Sequence, residues 1–211
     1  MRRCAIFTPL DELAELFAAE LADGLEARFR RSRDIGPPKP VLGLRLVDGK
    51  RVIDAYRWGF IPPFAKRPPL NTFQAQSESL LDRRMYATAF LTQRLIFVAD
   101  FFYLWLRKGH KYTGYAFRNT SGDPLALAAL WGPWQDPRTG EEMQSCAVIT
   151  GPANSDVQPV STRMPIELSP SEIDDWLDPE LQDADILESM LTPVVPGTFR
   201  RSRMRIPGMS L

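Results

Sequence analysis

The sequence predicts a single α+β domain in which mainly antiparallel strands form a sheet or a partly closed β-barrel flanked by helices. The chain has 211 residues, of which 44% are hydrophobic, and this suits one well-packed domain over residues 1–211. Its strand-like runs follow one another with short connections, and its helical patterns lie near the two ends of the chain. These observations favour antiparallel pairing over a repeated strand-helix-strand order.

The first helix is predicted to begin in TPLD near the N-terminus. Thr8 can cap the helix, and Pro9 suits the first helical position. Gly24 is the expected end. The apolar face comprises Leu10, Leu13, Phe17 and Leu21.

Two further helices are predicted in an acidic region near the C-terminus. Ser169 and Glu172 have the spacing of a capping box ahead of IDDWL, and ELQDADILESML at 180–191 has a helical pattern. From Met164 to Phe199 there are nine acidic residues and no Lys or Arg, so the rest of the chain is basic by nine.

A β-hairpin is predicted around Asp48 and Gly49, which accept positive φ in a tight turn between VLGLRLV and RVIDAYRWGF. Other short runs are rich in branched and aromatic residues, as strands are. They are RLIFVA (94–99), FFYLWLR (101–107), YAF (115–117), LALAALW (125–131) and SCAVIT (145–150).

Two arginine clusters carry much of the basic charge. RFRRSR at 28–33 and RRSRMR at 200–205 contain four arginines each, and such clusters can neutralise phosphates. On charge alone, a solvated surface with a loose basic tail over about 193–211 is the preferred interpretation.

The inventory of reactive residues excludes several kinds of site. His110 is the only histidine and lies in a basic hairpin tip, so no Ser-His-Asp or Cys-His arrangement is available. Two distant cysteines and one histidine do not make a ligand set, and no metal or cofactor is expected. We expect a cytoplasmic protein without membrane association, because no signal peptide or long apolar run is found and both cysteines suit a reducing compartment.

Several separated stretches, read in order, resemble the SOS response-associated peptidase (SRAP) family, also called abasic-site processing proteins. The resemblance covers about residues 4–178 and includes DIGPPKPV at 34–41 as the Pro-containing segment after the first helix. The stretches are CAIFT (4–8), WGFIPPFAK (58–66), QAQSES (74–79), VADFFYLW (98–105), ALWGPW (129–134) and VITGPANSDVQPVSTRMPIEL (148–168).

The resemblance implies a function on damaged DNA. Family members expose an N-terminal cysteine after removal of the initiator Met. This cysteine forms a thiazolidine with the ring-opened aldehyde of an abasic site in single-stranded DNA, and so shields the lesion as a DNA-protein crosslink. A glutamate, an asparagine and a histidine assist, while arginines and an aromatic wedge hold the strand.

The catalytic positions implied by the resemblance are altered here. Cys4 matches the nucleophile, but residues 1–3 precede it and make its nitrogen an amide, and the second residue, an arginine, is too large for routine removal of the initiator Met. Gln74 falls at the asparagine, Leu104 at the glutamate and Ser161 at the histidine. A leucine transfers no proton, and serine does not titrate near neutral pH.

The DNA-binding positions implied by the resemblance are mixed. Arg84 and Arg163 are kept, and Phe64 supplies an aromatic ring that can stack on a base. Ile6 and Gln76 each replace an arginine, which removes two phosphate contacts.

Three hypotheses follow. In the first, the chain is a divergent family member that still binds single-stranded DNA, with crosslinking lost or weakened. In the second, Cys4 still crosslinks to abasic DNA after proteolysis or through its thiol alone. In the third, the chain is a non-catalytic scaffold that binds a protein partner through its acidic segment or basic tail. The sequence leaves the oligomeric state open.

Overall fold

The computed structural model describes residues 1–204. These residues form thirteen strands, five short α-helices and one 3-10 turn at Ser77–Ser79. The strands are β1 (Arg3–Ile6), β2 (Glu20–Leu21), β3 (Ser32–Ile35), β4 (Pro40–Val47), β5 (Lys50–Trp58), β6 (Gln74–Gln76), β7 (Arg94–Ala99), β8 (Phe101–Lys108), β9 (Lys111–Asn119), β10 (Leu125–Gln135), β11 (Glu142–Pro152), β12 (Arg163–Pro165) and β13 (Phe199–Arg203). The helices are α1 (Leu10–Leu16), α2 (Leu25–Arg28), α3 (Arg84–Thr92), α4 (Ile173–Leu177) and α5 (Ala184–Ser189).

Five strands close into a β-barrel. The order β5-β4-β7-β10-β11 is antiparallel throughout, and a short parallel pairing of β11 with β5, Cys146 opposite Trp58, completes the ring. Trp58 is fully buried and packs on Phe97 with ring centroids 5.2 Å apart. The predicted α+β fold with a mainly antiparallel barrel is therefore confirmed, and side chains such as Trp58 and Phe97 fill the interior of the barrel.

A second sheet has five antiparallel strands in the order β13-β9-β8-β1-β3. Its inner face contributes Phe102, Phe117 and Phe199 to the same hydrophobic core as the barrel. Phe102 and Phe117 stack with centroids 5.0 Å apart, and Phe199 meets Phe102 edge-on at 5.2 Å. One continuous core therefore joins the two sheets.

The turn between β4 and β5 is the predicted hairpin. Asp48 and Gly49 have φ of 50° and 77°, the left-handed conformations that a two-residue turn of this kind requires. Gly49 adopts its angle without the steric cost that a side chain would bring.

The N-terminal helix differs from its prediction. Pro9, and not Thr8, is the residue before α1, because the Thr8 backbone N–H and hydroxyl both donate to the Asp100 carboxylate. The helix ends at Leu16, and Gly24 with φ of 67° instead precedes α2. Thr8 therefore does not cap α1, because its backbone N–H and its hydroxyl are bound to the Asp100 carboxylate at the end of β7.

The predicted helices of the acidic region are present but short. Glu172 accepts a hydrogen bond from the Ser169 N–H at 2.8 Å, as in a capping box, and α4 begins one residue later. The helix predicted within residues 180–191 is α5, and the Asp183 carboxylate caps it by accepting hydrogen bonds from two backbone N–H groups. Within residues 1–204, no helix is both long enough and apolar enough to cross a membrane.

The described part of the arginine-rich segment forms a strand, whereas the sequence predicted a loose tail there. Residues 199–203 pair with β9 as an edge strand. Phe199 anchors it by inserting into the core, and the Asp156 carboxylate accepts hydrogen bonds from the Gly197 and Phe199 N–H groups. The last part of the expected tail, residues 205–211, lies outside the described residues.

Candidate functional site

The N-terminal segment is held in place by strand pairing. Cys4 in β1 pairs with Ile35 of β3 on one side and with Phe102 of β8 on the other. Gly36 lets the chain pass close to Arg2, since a Cβ at Gly36 would lie 3.3 Å from the Arg2 carbonyl oxygen. The segment therefore has a fixed path to the first residue.

This path ends at Gln74. The Met1 α-amine donates a hydrogen bond to Gln74 Oε1 at 3.0 Å. Strand β6, which carries Gln74, pairs in parallel with β11 of the barrel, with Gln74 opposite Val148. The amide is thus supported by the rigid barrel and faces the start of the chain.

The Met1 amine has an unusual ionisation. Burial, followed by the positive charges of Arg2 and Arg163, lowers the pKa of this amine from 8.0 to about 5. At neutral pH the folded chain therefore holds the amine uncharged, with a free lone pair. An uncharged amine is a nucleophile toward carbonyl carbon.

Cys4 lies in a different environment from the amine. Its side chain is fully buried in the hydrophobic core, and its nitrogen is an amide within β1. Burial, together with the nearby Cys146, Asp34 and Asp100, raises the pKa of the thiol well above its usual value. The structure thus places the sequence-predicted nucleophile in the core, where a thiolate does not form near neutral pH.

The two other altered positions have structural roles. Leu104 is 6% exposed and packs in the core. The Ser161 hydroxyl donates to the Arg163 carbonyl at 2.8 Å and accepts from the Arg163 N–H at 3.2 Å. Both contacts of the serine are local turn contacts. Neither a leucine side chain nor a serine hydroxyl titrates near neutral pH, so these two positions supply no acid or base there.

Arg163 lies next to this centre and is paired. Its guanidinium makes a two-pronged ion pair with the Glu78 carboxylate, at 2.9 and 2.8 Å, and its Nε lies 3.4 Å from Thr150 Oγ1. This hydrogen bonding lowers the pKa of Glu78. A DNA phosphate would have to compete with Glu78 for the guanidinium.

Phe64 and Arg84 form an exposed cation-aromatic pair. Phe64 is 57% exposed, and the Arg84 guanidinium carbon lies 5.0 Å from its ring centroid. The loop that carries Phe64 is fixed by Trp134, whose indole N–H donates to the Ala65 carbonyl at 2.7 Å. Gln76, at the end of β6, is also exposed. This surface can offer both a stacking ring and a cation to a nucleic acid.

Comparison with known protein families matches nearly the whole chain. The profile described as SOS response associated peptidase (SRAP) covers residues 2–204. The chain belongs to the SOS response associated peptidase family.

Relatives within the SRAP family carry names that refer to abasic sites. Abasic site processing protein YoqW of Bacillus subtilis is 28% identical over 196 residues, which are 90% of this chain and 86% of that protein. Abasic site processing protein YedK of Escherichia coli is 26% identical over 164 residues, covering 77% of this chain and 72% of that one.

Solved structures share the fold. A crystal structure from Bacteroides thetaiotaomicron superimposes with a TM-score of 0.88 at 18% identity, over 97% of this chain and 92% of that chain. A Bordetella bronchiseptica protein gives a TM-score of 0.83 at 21% identity, over 98% of this chain and all of that chain.

Sequence reasoning did not assign Met1 and Arg2 to this candidate site. The Arg2 guanidinium lies 5.2 Å from the Phe73 ring centroid, which fixes the segment beside Gln74. The one available signal was the arginine at position 2, which disfavours removal of Met1. Nothing in the local sequence gives the strand register that carries Met1 to β6.

Proposed function

We propose that this SRAP protein binds single-stranded DNA at abasic sites and holds the lesion without forming the stable thiazolidine crosslink. Family membership and the names of the relatives support the substrate class. The observation that carries the proposal is the uncharged Met1 amine at 3.0 Å from Gln74, while the Cys4 thiol is buried.

The binding surface in this proposal comprises Phe64, Arg84, Gln76 and Arg163. Phe64 and Arg84 are exposed and offer stacking and phosphate contact, and each stacked base contributes about 1–3 kcal/mol. Arg163 adds a phosphate contact when the anion displaces Glu78. Affinity would therefore fall steeply as salt rises.

The thiazolidine is unavailable because its ring needs an amine and a thiol on the same residue. The Cys4 nitrogen is an amide inside β1, and the Cys4 thiol has no exposed surface. A free amine three residues away cannot supply the missing atom of a five-membered ring.

The Met1 amine favours a weaker reaction with the same aldehyde, for a chain that begins at Met1. Its nitrogen attacks the aldehyde carbon, a carbon-nitrogen double bond forms, and the aldehyde oxygen leaves as water with the two amine protons. The resulting imine is reversible, because no thiol closes on it. Gln74 positions the amine by accepting one of its N–H groups.

Fluorescence anisotropy with short single-stranded oligonucleotides tests binding. We expect affinity for abasic DNA at low salt, a loss of affinity at moderate salt, and about tenfold weaker binding for Phe64→Ala if one stacking contact is lost. Leu70→Ala, which changes another highly exposed apolar residue, is the control. Absence of binding at low salt would overturn the proposed function.

Borohydride trapping tests the chemistry. Reduction converts an imine to a stable amine, so a denaturing gel should show an adduct only when borohydride is present. Gln74→Leu should slow trapping, whereas Gln74→Asn, which keeps the amide, should retain more of it. An adduct that forms without reductant and disappears in Cys4→Ala would instead support the thiol hypothesis.

A further inference from the structure

The outer face of the five-stranded sheet, on the side away from the core, has a composition unlike the rest of the surface. Side chains alternate between faces along each strand, so Phe102 and Phe117 point inward and their neighbours point outward. The outward residues that matter here are Arg3, Phe101, Trp105, Arg107, Tyr112, Arg118 and Arg200. We call this set, together with Phe7 and Arg33, the outer sheet face.

The sheet is strongly basic. Its five strands carry nine Lys and Arg residues and one acid, Asp34, which is bound to Arg3. This accounts for much of the basic excess outside the acidic segment. Five of these cations belong to the outer sheet face, where a polyanion could meet them: Arg3, Arg33, Arg107, Arg118 and Arg200.

Two arginines on this face oppose each other directly. Arg118 of β9 and Arg200 of β13 are register partners, and both are exposed. Like charges at directly opposite positions destabilise a sheet. Among residues 1–204, neither arginine forms an ion pair with a carboxylate. An anion bound between them would relieve the repulsion.

Aromatic rings lie between the arginines. Phe7 and Phe101 contact each other with centroids 5.4 Å apart, and Phe7, Phe101 and Trp105 are all partly exposed around the small buried cluster of Ala5, Tyr103 and Ala116. The Arg33 guanidinium carbon lies 4.1 Å from the Phe7 ring centroid. Tyr112 is 51% exposed, with the Arg107 guanidinium carbon 5.7 Å from its ring centroid.

We propose that the outer sheet face is a second binding surface for single-stranded DNA, one that holds the strand beyond the nucleotides at the Met1 site. Cations for the backbone interleaved with rings for the bases are the combination that unpaired strands require. An acidic peptide would use the arginines but not the rings. That the bound molecule is single-stranded DNA rests on the proposed function. The existence of a basic and aromatic surface does not, because it follows from the residues of the sheet.

A length series separates this proposal from the proposed function. An abasic oligonucleotide of about six nucleotides suits a single binding groove, whereas one of about 25 can also reach the outer sheet face. We expect the longer strand to bind at least tenfold more tightly. Equal affinities would overturn the second surface but leave the proposed function intact, and failure of both strands to bind would overturn the proposed function.

Substitutions on the outer sheet face test whether it causes the tighter binding of the longer oligonucleotide. The pair Arg118→Glu and Arg200→Glu should remove the length-dependent gain and lower the salt slope by about two. The charge-matched control pair, Lys50→Glu and Arg138→Glu, lies outside this sheet and should keep the gain. Equal effects of the two pairs would refute the proposal.

Two single variants test stacking and repulsion. Trp105→Ala should reduce long-strand binding about tenfold without changing short-strand binding. If only the arginines matter, the face is an unspecific charge patch that would bind polyglutamate equally well, and the proposal fails. Arg200→Ser should weaken long-strand binding without lowering the melting temperature, a combination that a structural role for Arg200 would not produce.

Discussion

Met1 and Cys4 lie three residues apart in one N-terminal segment, yet they have opposite chemical environments. The Met1 amine is held uncharged beside Gln74, whereas the Cys4 thiol is fully buried, with its pKa raised. Burial acts on both groups but favours the reactive form of the amine and the unreactive form of the thiol. We therefore expect reactivity in this segment to follow the direction in which burial moves each pKa.

The largest expected effect comes from blocking the amine. Adding an N-acetylated Gly-Ser before Met1 makes the Met1 nitrogen an amide and leaves no free α-amine at the site, so borohydride-trapped adduct should fall at least a hundredfold. Anisotropy with the same abasic oligonucleotide is the control, since the DNA-binding surface is unchanged. Undiminished trapping in the extended chain would show that a lysine or another amine reacts.

The pH dependence should report the same amine. Trapping with cyanoborohydride, which survives mild acid, should be nearly constant between pH 6 and 8 and fall about tenfold per unit below about pH 5, because protonation removes the lone pair. An ordinary α-amine would already decline below about pH 8. The unfolded chain holds this proton up to about pH 8 and the folded chain only up to about pH 5, so the amine's contribution to stability should rise with pH across that interval.

Cys4 is expected to matter for stability and not for the adduct. Cys4→Ala removes a buried sulfur from the core, so urea denaturation should show a loss of about 1–2 kcal/mol in the free energy of unfolding. Trapping at a temperature where both proteins are folded should be unchanged. Cys146→Ala, in the same core, is the matched control for a general packing effect.

The smallest expected effect concerns the ion pair beside the amine. Glu78→Gln keeps the size of the side chain but removes the charge that occupies Arg163, so short-strand affinity should rise about two- to fivefold, the range of a partly exposed ion pair. A salt titration checks whether Arg163 causes the gain in affinity, because a guanidinium freed to contact phosphate makes DNA affinity fall more steeply with salt. Weaker binding would indicate that Glu78 positions Arg163 for DNA.

Much of the fold could be predicted from local sequence, and less of the site. The Asp48-Gly49 hairpin and the alternating strands follow from turn chemistry and residue type. The closure of the barrel depends on a parallel contact between Trp58 and Cys146, which no local pattern encodes. Ordering of the arginine-rich segment likewise depends on Phe199 reaching a distant core.

The same division holds for the site. The retained motifs gave Phe64, Arg84 and Arg163, whose side chains do lie on or beside the exposed surface. Which residue lies next to Gln74 depends on how β1 pairs with β8, because a register one residue different would bring another residue there. Sequence matching at Cys4 therefore located the segment, whereas the proposed reactive atom, the Met1 nitrogen, depends on this strand pairing.

Mass spectrometric mapping of the borohydride-reduced adduct tests the central claim most directly. Abasic oligonucleotide is reduced onto the protein, the DNA is digested away, and the N-terminal peptide is fragmented after denaturation and thiol alkylation. We expect the sugar remnant on the Met1 α-nitrogen and an alkylated, unmodified Cys4. A remnant on Cys4, through its sulfur or through a nitrogen exposed by cleavage after Arg3, would contradict the assignment.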